Sequence, residues 1–125
     1  MNILERLLQE YQELPEFSSL KLSSVNQRGG WNSTPLHIAI YRERPREVRI
    51  LLEGGADPNA PGEYGERPIQ VALGQDEEII EMLLSAGAQC DLTDDKGKNA
   101  WDWAEGLGLK DKLIALVNSH GQRPR

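Results

Sequence analysis

Of the 125 residues, one is cysteine and two are histidine. The lone Cys90 excludes an internal disulfide framework and fits a reducing compartment. With no His or second Cys beside it, it is a poor candidate metal ligand. Basic charge is also scarce: 14 Lys and Arg stand against 20 Asp and Glu, for a net charge of −6. Nucleic-acid binding needs a basic patch to neutralise phosphates and is not expected here. The one basic cluster, Arg42, Arg44, Arg46 and Arg49, is interleaved with Glu43 and Glu47 and reads as a solvated helix face. Long apolar runs are missing too, since nothing approaches the ~20 residues of a membrane span. The N-terminal stretch Met1 to Leu8 is amphipathic and mixed in charge, without the basic start and unbroken apolar core of a secretory signal. A cytoplasmic protein with no membrane contact is expected. Apolar residues at 38% and charged residues at 27% are ordinary for one folded domain.

What the chain does have is a repeat of about 33 residues. Thr34-Pro35-Leu36-His37-Ile38-Ala39 returns as Arg67-Pro68-Ile69-Gln70-Val71-Ala72, and in altered form as Asn99-Ala100-Trp101-Asp102-Trp103-Ala104. A second phrase, Gly55-Ala56-Asp57-Pro58-Asn59, returns as Gly87-Ala88-Gln89-Cys90-Asp91. Asn26, Asn59 and Asp91 keep the same beat. Such a period predicts a stacked array in which each unit buries its apolar face against its neighbours.

Within a unit, Asn32, Gly65 and Gly97 tolerate the left-handed backbone of a tight turn. Thr34 is a natural N-cap, and Pro35 occupies the first helical position, where its missing N–H costs nothing. In the second unit Arg67 replaces the Thr and removes that cap. The second helix of the unit draws its buried stripe from Val48, Ile50, Leu51 and Leu52, and Gly54-Gly55 ends it. Ile79, Ile80, Leu83 and Leu84, closed by Gly87, repeat the pattern. Upstream, Ile3, Leu4, Leu7, Leu8, Tyr11 and Leu14 form a helical stripe that Pro15 interrupts, and Phe17, Leu20 and Leu22 continue it.

In these two phrases the sequence resembles the ankyrin repeat family over roughly residues 26–117. The resemblance implies an all-α solenoid of paired antiparallel helices with β-hairpin-like fingers along one edge. The expected layout is a single domain over 1–118. A degenerate N-terminal capping unit (1–25) precedes repeats at 26–58 and 59–90, and a C-terminal capping repeat (91–118) ends at Lys110–Asn118. Residues 119–125 are expected to be a flexible tail, and the sequence identifies no partner for His120 within it.

His37 falls inside the helix-opening motif, where the imidazole ties turns together, so it is not expected to be catalytic. No Ser/His/Asp or Cys/His set has a catalytic spacing. Neither Gly29-Gly30 nor Gly54-Gly55 is followed by the Lys of a phosphate loop. Catalytic, metal and cofactor residues are therefore all assigned as none. The family's recognition surface comprises the finger tips and the exposed side of each first helix. Carried over, it singles out Trp31, Ser33, Tyr41 and Arg42, then Glu63, Tyr64, Glu66 and Gln75, then Asp95, Lys96 and Lys98. Trp31 and Tyr64 stand in turns where core packing has little use for them, although Trp31 could instead fold back on the N-terminal unit. Trp101 and Trp103 are expected to pack inward. Acidic groups around Tyr64 suit a basic protein surface. The expected function is protein binding by occlusion, from a chain that is monomeric when free. Small acidic bacterial ankyrin proteins resemble immunity proteins that neutralise a cognate toxin, and that is the first reading. The alternative is a eukaryotic-type adaptor or inhibitor of a kinase or transcription factor. An enzyme or small-ligand-binding protein is the competing class.

Overall fold

A computed structural model describes residues 1–120, and they form seven α-helices and no strand. In order these are α1 (Ile3–Gln12), α2 (Pro35–Tyr41), α3 (Pro45–Glu53), α4 (Pro68–Ala72), α5 (Glu77–Ser85), α6 (Ala100–Leu107) and α7 (Lys110–Ser119). Short 3₁₀ turns lie at Pro15–Phe17, Gly30–Asn32 and Glu63–Gly65. The pairs α2–α3, α4–α5 and α6–α7 stack side by side, and α1 packs on α3 at one end.

Side chains cap the starts of α1, α2, α5 and α6. Asn2 Oδ1 accepts from Glu5 N–H at 2.8 Å, Asp76 Oδ1 from Glu78 N–H at 2.9 Å and Asn99 Oδ1 from Asp102 N–H at 3.0 Å. Thr34 caps α2 through His37 N–H, with Pro35 next in the chain. In α4 the lost threonine cap is offset by Gln70, whose Oε1 accepts Arg67 N–H at 2.7 Å. Arg67 itself becomes a strap. Its guanidinium donates to the Asn59 carbonyl at 3.0 Å and to the Thr93 carbonyl at 3.0 Å, joining the second unit to the third.

Buried Leu36, Ile40, Val48, Leu51, Ile69, Ile79, Leu83, Ala104 and Leu113 form one continuous core through all the units. Small Ala39, Ala72 and Ala104 are each fully buried, which lets successive first helices approach. Of the expected α3 stripe, Val48 and Leu51 are buried, whereas Ile50 and Leu52 are only partly covered. At the N-terminal end Leu7, Tyr11, Phe17 and Leu22 are buried, but Ile3 is 53% exposed and lies off the expected stripe. Gln12 organises the segment after α1. Its Nε2 donates to the carbonyls of Phe17 and Leu20, and its Oε1 accepts Leu22 N–H.

Two kinds of side-chain clamp hold the array, the first within a unit and the second from one unit to the next. Asn26 donates to the Gly55 carbonyl at 3.1 Å and accepts Asp57 N–H at 2.8 Å; Asn59 does the same with the Gly87 carbonyl and Gln89 N–H. His37 and Gln70 form the second clamp, reaching the carbonyls of Glu66 at 2.9 Å and Lys98 at 3.0 Å. In the third unit both positions are carboxylates, Asp91 and Asp102, which can accept but not donate when ionised.

The expected outer helix of the third unit runs one residue beyond Asn118, to Ser119. His120 does find a partner, because its Nδ1 lies 2.9 Å from Ser85 Oγ. The remainder of the expected tail, 121–125, lies outside the described residues.

Candidate functional site

Each unit projects a finger closed by a backbone bond across its base: Gly29 N–H to Ser33 O at 2.8 Å, Gly62 N–H to Glu66 O at 2.9 Å and Asp94 N–H to Lys98 O at 2.8 Å. These closures are hairpin-like although the described residues contain no strand. Trp31, Tyr64 and Lys96 occupy the same place at the three tips.

The two aromatics hold a backbone that bulky residues avoid. Trp31 has φ 56° and Tyr64 φ 55°, followed by left-handed Asn32 at φ 61° and Gly65 at φ 71°. Two successive positive φ values make type I′-like turns, which aim both rings outward. Each is 65% exposed, so Trp31 does not fold back on the N-terminal helix. A bulky residue in this region stores roughly 1–2 kcal/mol of strain.

Bonds between fingers hold the row in place. Asn32 Nδ2 donates to the Gly62 carbonyl at 3.4 Å, Arg28 to the Pro61 carbonyl, and Asp95 N–H to the Tyr64 carbonyl at 3.0 Å. Underneath lies His37, with no exposed surface. Its Nε2 faces a carbonyl and must donate, which leaves Nδ1 to accept from the Thr34 hydroxyl at 2.8 Å. Burial lowers its pKa, and Arg28 adds to the effect against the opposing bond to Glu66. A neutral imidazole with both nitrogens engaged and no route to solvent cannot serve a substrate. A Cβ on Gly62 would come within 2.6 Å of His37 Nε2, so only glycine lets the second finger lie against the ring.

Asp94 does the corresponding work in the third finger and is only 9% exposed. Its Oδ1 accepts Lys96 N–H at 2.9 Å and Lys98 N–H at 3.0 Å; its Oδ2 accepts Trp103 Nε1–H at 3.1 Å and Gln70 Nε2–H at 3.3 Å. Burial alone would raise its pKa. The bonds from Lys98, Trp103, Lys96 and Gln70 outweigh that and hold it below the ordinary 3.8. Nothing in the sequence distinguishes this hub from a simple turn Asp, because its donors come from three elements. Trp101 and Trp103 are partly buried against the core, and Trp103 keeps its indole N–H on this finger.

The expected surface residues divide. Trp31, Tyr41, Tyr64, Asp95, Lys96 and Lys98 are exposed, and Glu63 and Glu66 are half-buried beside them. Ser33 departs from expectation: it is 2% exposed, because the closing limb of the first finger turns it inward. Arg42 is exposed, with its guanidinium 5.6 Å above the Tyr11 ring and 3.8 Å from Glu47. Glu47 also accepts the Tyr11 hydroxyl at 2.7 Å and pairs with Arg44 at 3.3 Å, tying α1 to the start of α3. Gln75 is half-buried, and its carbonyl oxygen finds no hydrogen-bond partner among the described residues. The Cys90 thiol is buried, and burial followed by Asp91 pushes its pKa up to about 11.

The surface grooves are shallow. One of about 530 Å³ between α1 and the start of α3 is lined by Ile3, Leu7, Ile50, Arg6, Arg46 and Glu10, with charges of both signs and no convergent polar set. Among the described residues no group of three His, Cys, Asp or Glu is placed to hold a metal ion, and no helix is long and apolar enough to cross a membrane.

A family model for ankyrin repeats in three copies matches residues 2–121. The cyclin-dependent kinase inhibitor 2A of Homo sapiens is 44% identical over 72 residues, covering 58% of this chain and 44% of that protein. The cyclin-dependent kinase 4 inhibitor B of Rattus norvegicus is 42% identical over 66 residues, 53% of this chain and 51% of its own. The Bos taurus protein of the same name is 35% identical over 96 residues, 75% of this chain and 72% of its own. The chain thus spans about half the length of the human and rat proteins.

Proposed function

This chain belongs to the ankyrin repeat family, and we propose that it is a protein-binding module that occludes a protein kinase. The observation that carries the reading is the row of finger tips. Trp31 and Tyr64 are 65% exposed, held outward by a left-handed backbone, and fixed relative to one another by bonds between fingers. Exposed rigid aromatics are the usual energetic centres of protein interfaces. Strain retained at two equivalent positions points to use rather than accident. The relatives are named as inhibitors of cyclin-dependent kinases, which favours a kinase over the toxin expected first from the sequence. Acidic Glu63, Glu66 and Asp95 beside the aromatics match a basic docking surface on that kinase. In this reading the free chain is a cytoplasmic monomer, and covering the partner is its whole effect.

Purified cyclin-dependent kinases, presented to the immobilised chain and assayed for residual activity, test the proposal. Binding with loss of activity is expected. A Trp31→Ala/Tyr64→Ala variant that keeps its helical circular dichroism is expected to lose both. Kinase binding unchanged in that variant would overturn the choice of surface, and no binding by any kinase would overturn the partner class.

A further inference from the structure

His37 and Tyr41 lie four residues apart on α2 and so share a face. His37 holds the Glu66 carbonyl at 2.9 Å, which places Tyr41 beside the second finger. Tyr41 is 42% exposed. Burial, then Glu66 and Glu63, push its hydroxyl up to about 12, consistent with that closeness. Glu66 is itself raised by burial, then by Asp94 and Glu63, with Lys96 opposing.

The carboxylates of this chain are not treated alike. Glu47, Glu77 and Glu78 each have a cationic partner within 4 Å. Among the described residues Glu63 and Glu66 have no ion pair and no side-chain hydrogen bond, although both are half-buried and fixed by the finger's backbone closure. Exposed Tyr64 stands between them in sequence. A freely solvated acidic loop would let its carboxylates swing apart into water, whereas these two are half-buried on a closed finger and both act on the Tyr41 hydroxyl.

We propose that Tyr41, Glu63, Tyr64 and Glu66 receive one arginine side chain of the partner protein. The inference rests on the protein-binding reading and deepens it. A guanidinium suits this surface better than an ammonium because it stacks on an aromatic face, loses less hydration, and offers a planar fork of donors to carboxylates. The carboxylates also attract it before contact.

Titration of the isotopically labelled chain with N-acetyl-arginine amide, followed by amide NMR shifts, tests this without any kinase. Saturable shifts centred on Tyr41 and residues 63–66 are expected. N-acetyl-citrulline amide, which keeps the shape and loses the charge, should bind at least roughly fivefold more weakly. A Glu63→Gln/Glu66→Gln variant should abolish the shifts while remaining folded, since the structural bonds of Glu63 and Glu66 run through the backbone. A Glu53→Gln/Glu81→Gln variant on the outer helices should leave them unchanged. Shifts spread evenly over the acidic surface, equal binding of citrulline, or survival of the shifts in the first variant would each overturn the proposal. Failure of every kinase to bind would refute the partner class while leaving the titration to stand. A kinase that binds while arginine does not would refute the subsite alone.

Discussion

Replacing Asp94 by Asn changes one atom and should weaken the junction between the second and third units. In the native protein, Oδ1 accepts two backbone N–H groups, from Lys96 and Lys98, while Oδ2 accepts the Trp103 indole and the Gln70 amide. An asparagine can keep one pair only. Whichever way its amide turns, its NH₂ faces two donors. Two hydrogen bonds to a charged acceptor are lost, each worth about 1.5 kcal/mol, and water at the finger's edge restores part of that. A net cost of about 2–3 kcal/mol is expected, or a fall in Tm on the order of 10 °C for a chain of this size. The pH dependence adds a second check. Asp94 has a folded pKa held below its ordinary 3.8, so its contribution is complete above that value and is lost as pH falls through the folded pKa. The gap between parent and variant should be widest at neutral pH and close in acid. Urea unfolding followed by circular dichroism and tryptophan fluorescence would measure it. A variant within about 0.5 kcal/mol of the parent at neutral pH would refute the hub.

Three further outcomes can be measured in the same way. His37→Gln places in the first unit the side chain that already works in the second, and should cost under about 1 kcal/mol, against about 2–3 kcal/mol for His37→Ala. Because burial lowers the His37 pKa below 6.5, its contribution is complete above that pH and declines as pH falls; stability curves of His37→Gln should lack this decline. Gly62→Ala should be destabilised by about 2 kcal/mol or more by its contact with His37, although the glycine's φ of −109° carries no strain. Tyr64→Gly should raise stability by about 0.5–1 kcal/mol through relief of a left-handed tyrosine, and should weaken binding of whichever protein partner the chain takes. A loss of stability there would show that the ring packs more than its exposure implies.

The fold was legible where a residue's role depends on its neighbours in sequence. Thr34 before Pro35 marks a helix start, Gly54-Gly55 a helix end, and the fully buried Ala39, Ala72 and Ala104 the close face of the stack. Roles that depend on another unit were harder to read. Arg67 looked like a missing cap and is a strap to Thr93; His120 looked unpartnered and meets Ser85. In sequence Asp94 is indistinguishable from any turn aspartate, since its value lies in donors from Gln70 and Trp103. At the surface, the prominence of Trp31 and Tyr64 could be inferred from the glycines around them, but their own left-handed backbone could not, because aromatic residues seldom adopt it. Ser33 was misplaced because finger tip and finger limb differ by one residue, and that step reverses which way a side chain points.

The clamps give the stack a direction. In the first two units an imidazole or amide nitrogen, of His37 and then of Gln70, reaches forward to a carbonyl of the following unit, and in the third its counterpart is Asp102. A fourth unit grafted in the same register would bring a carbonyl oxygen up to the Asp102 carboxylate, lone pair against lone pair. Elongation therefore calls for that side chain to be rewritten as a longer one that donates, by Asp102→Gln. Made without a graft, the same change would turn an inert face into a sticky end, a surface with an unmet donor that another chain could join.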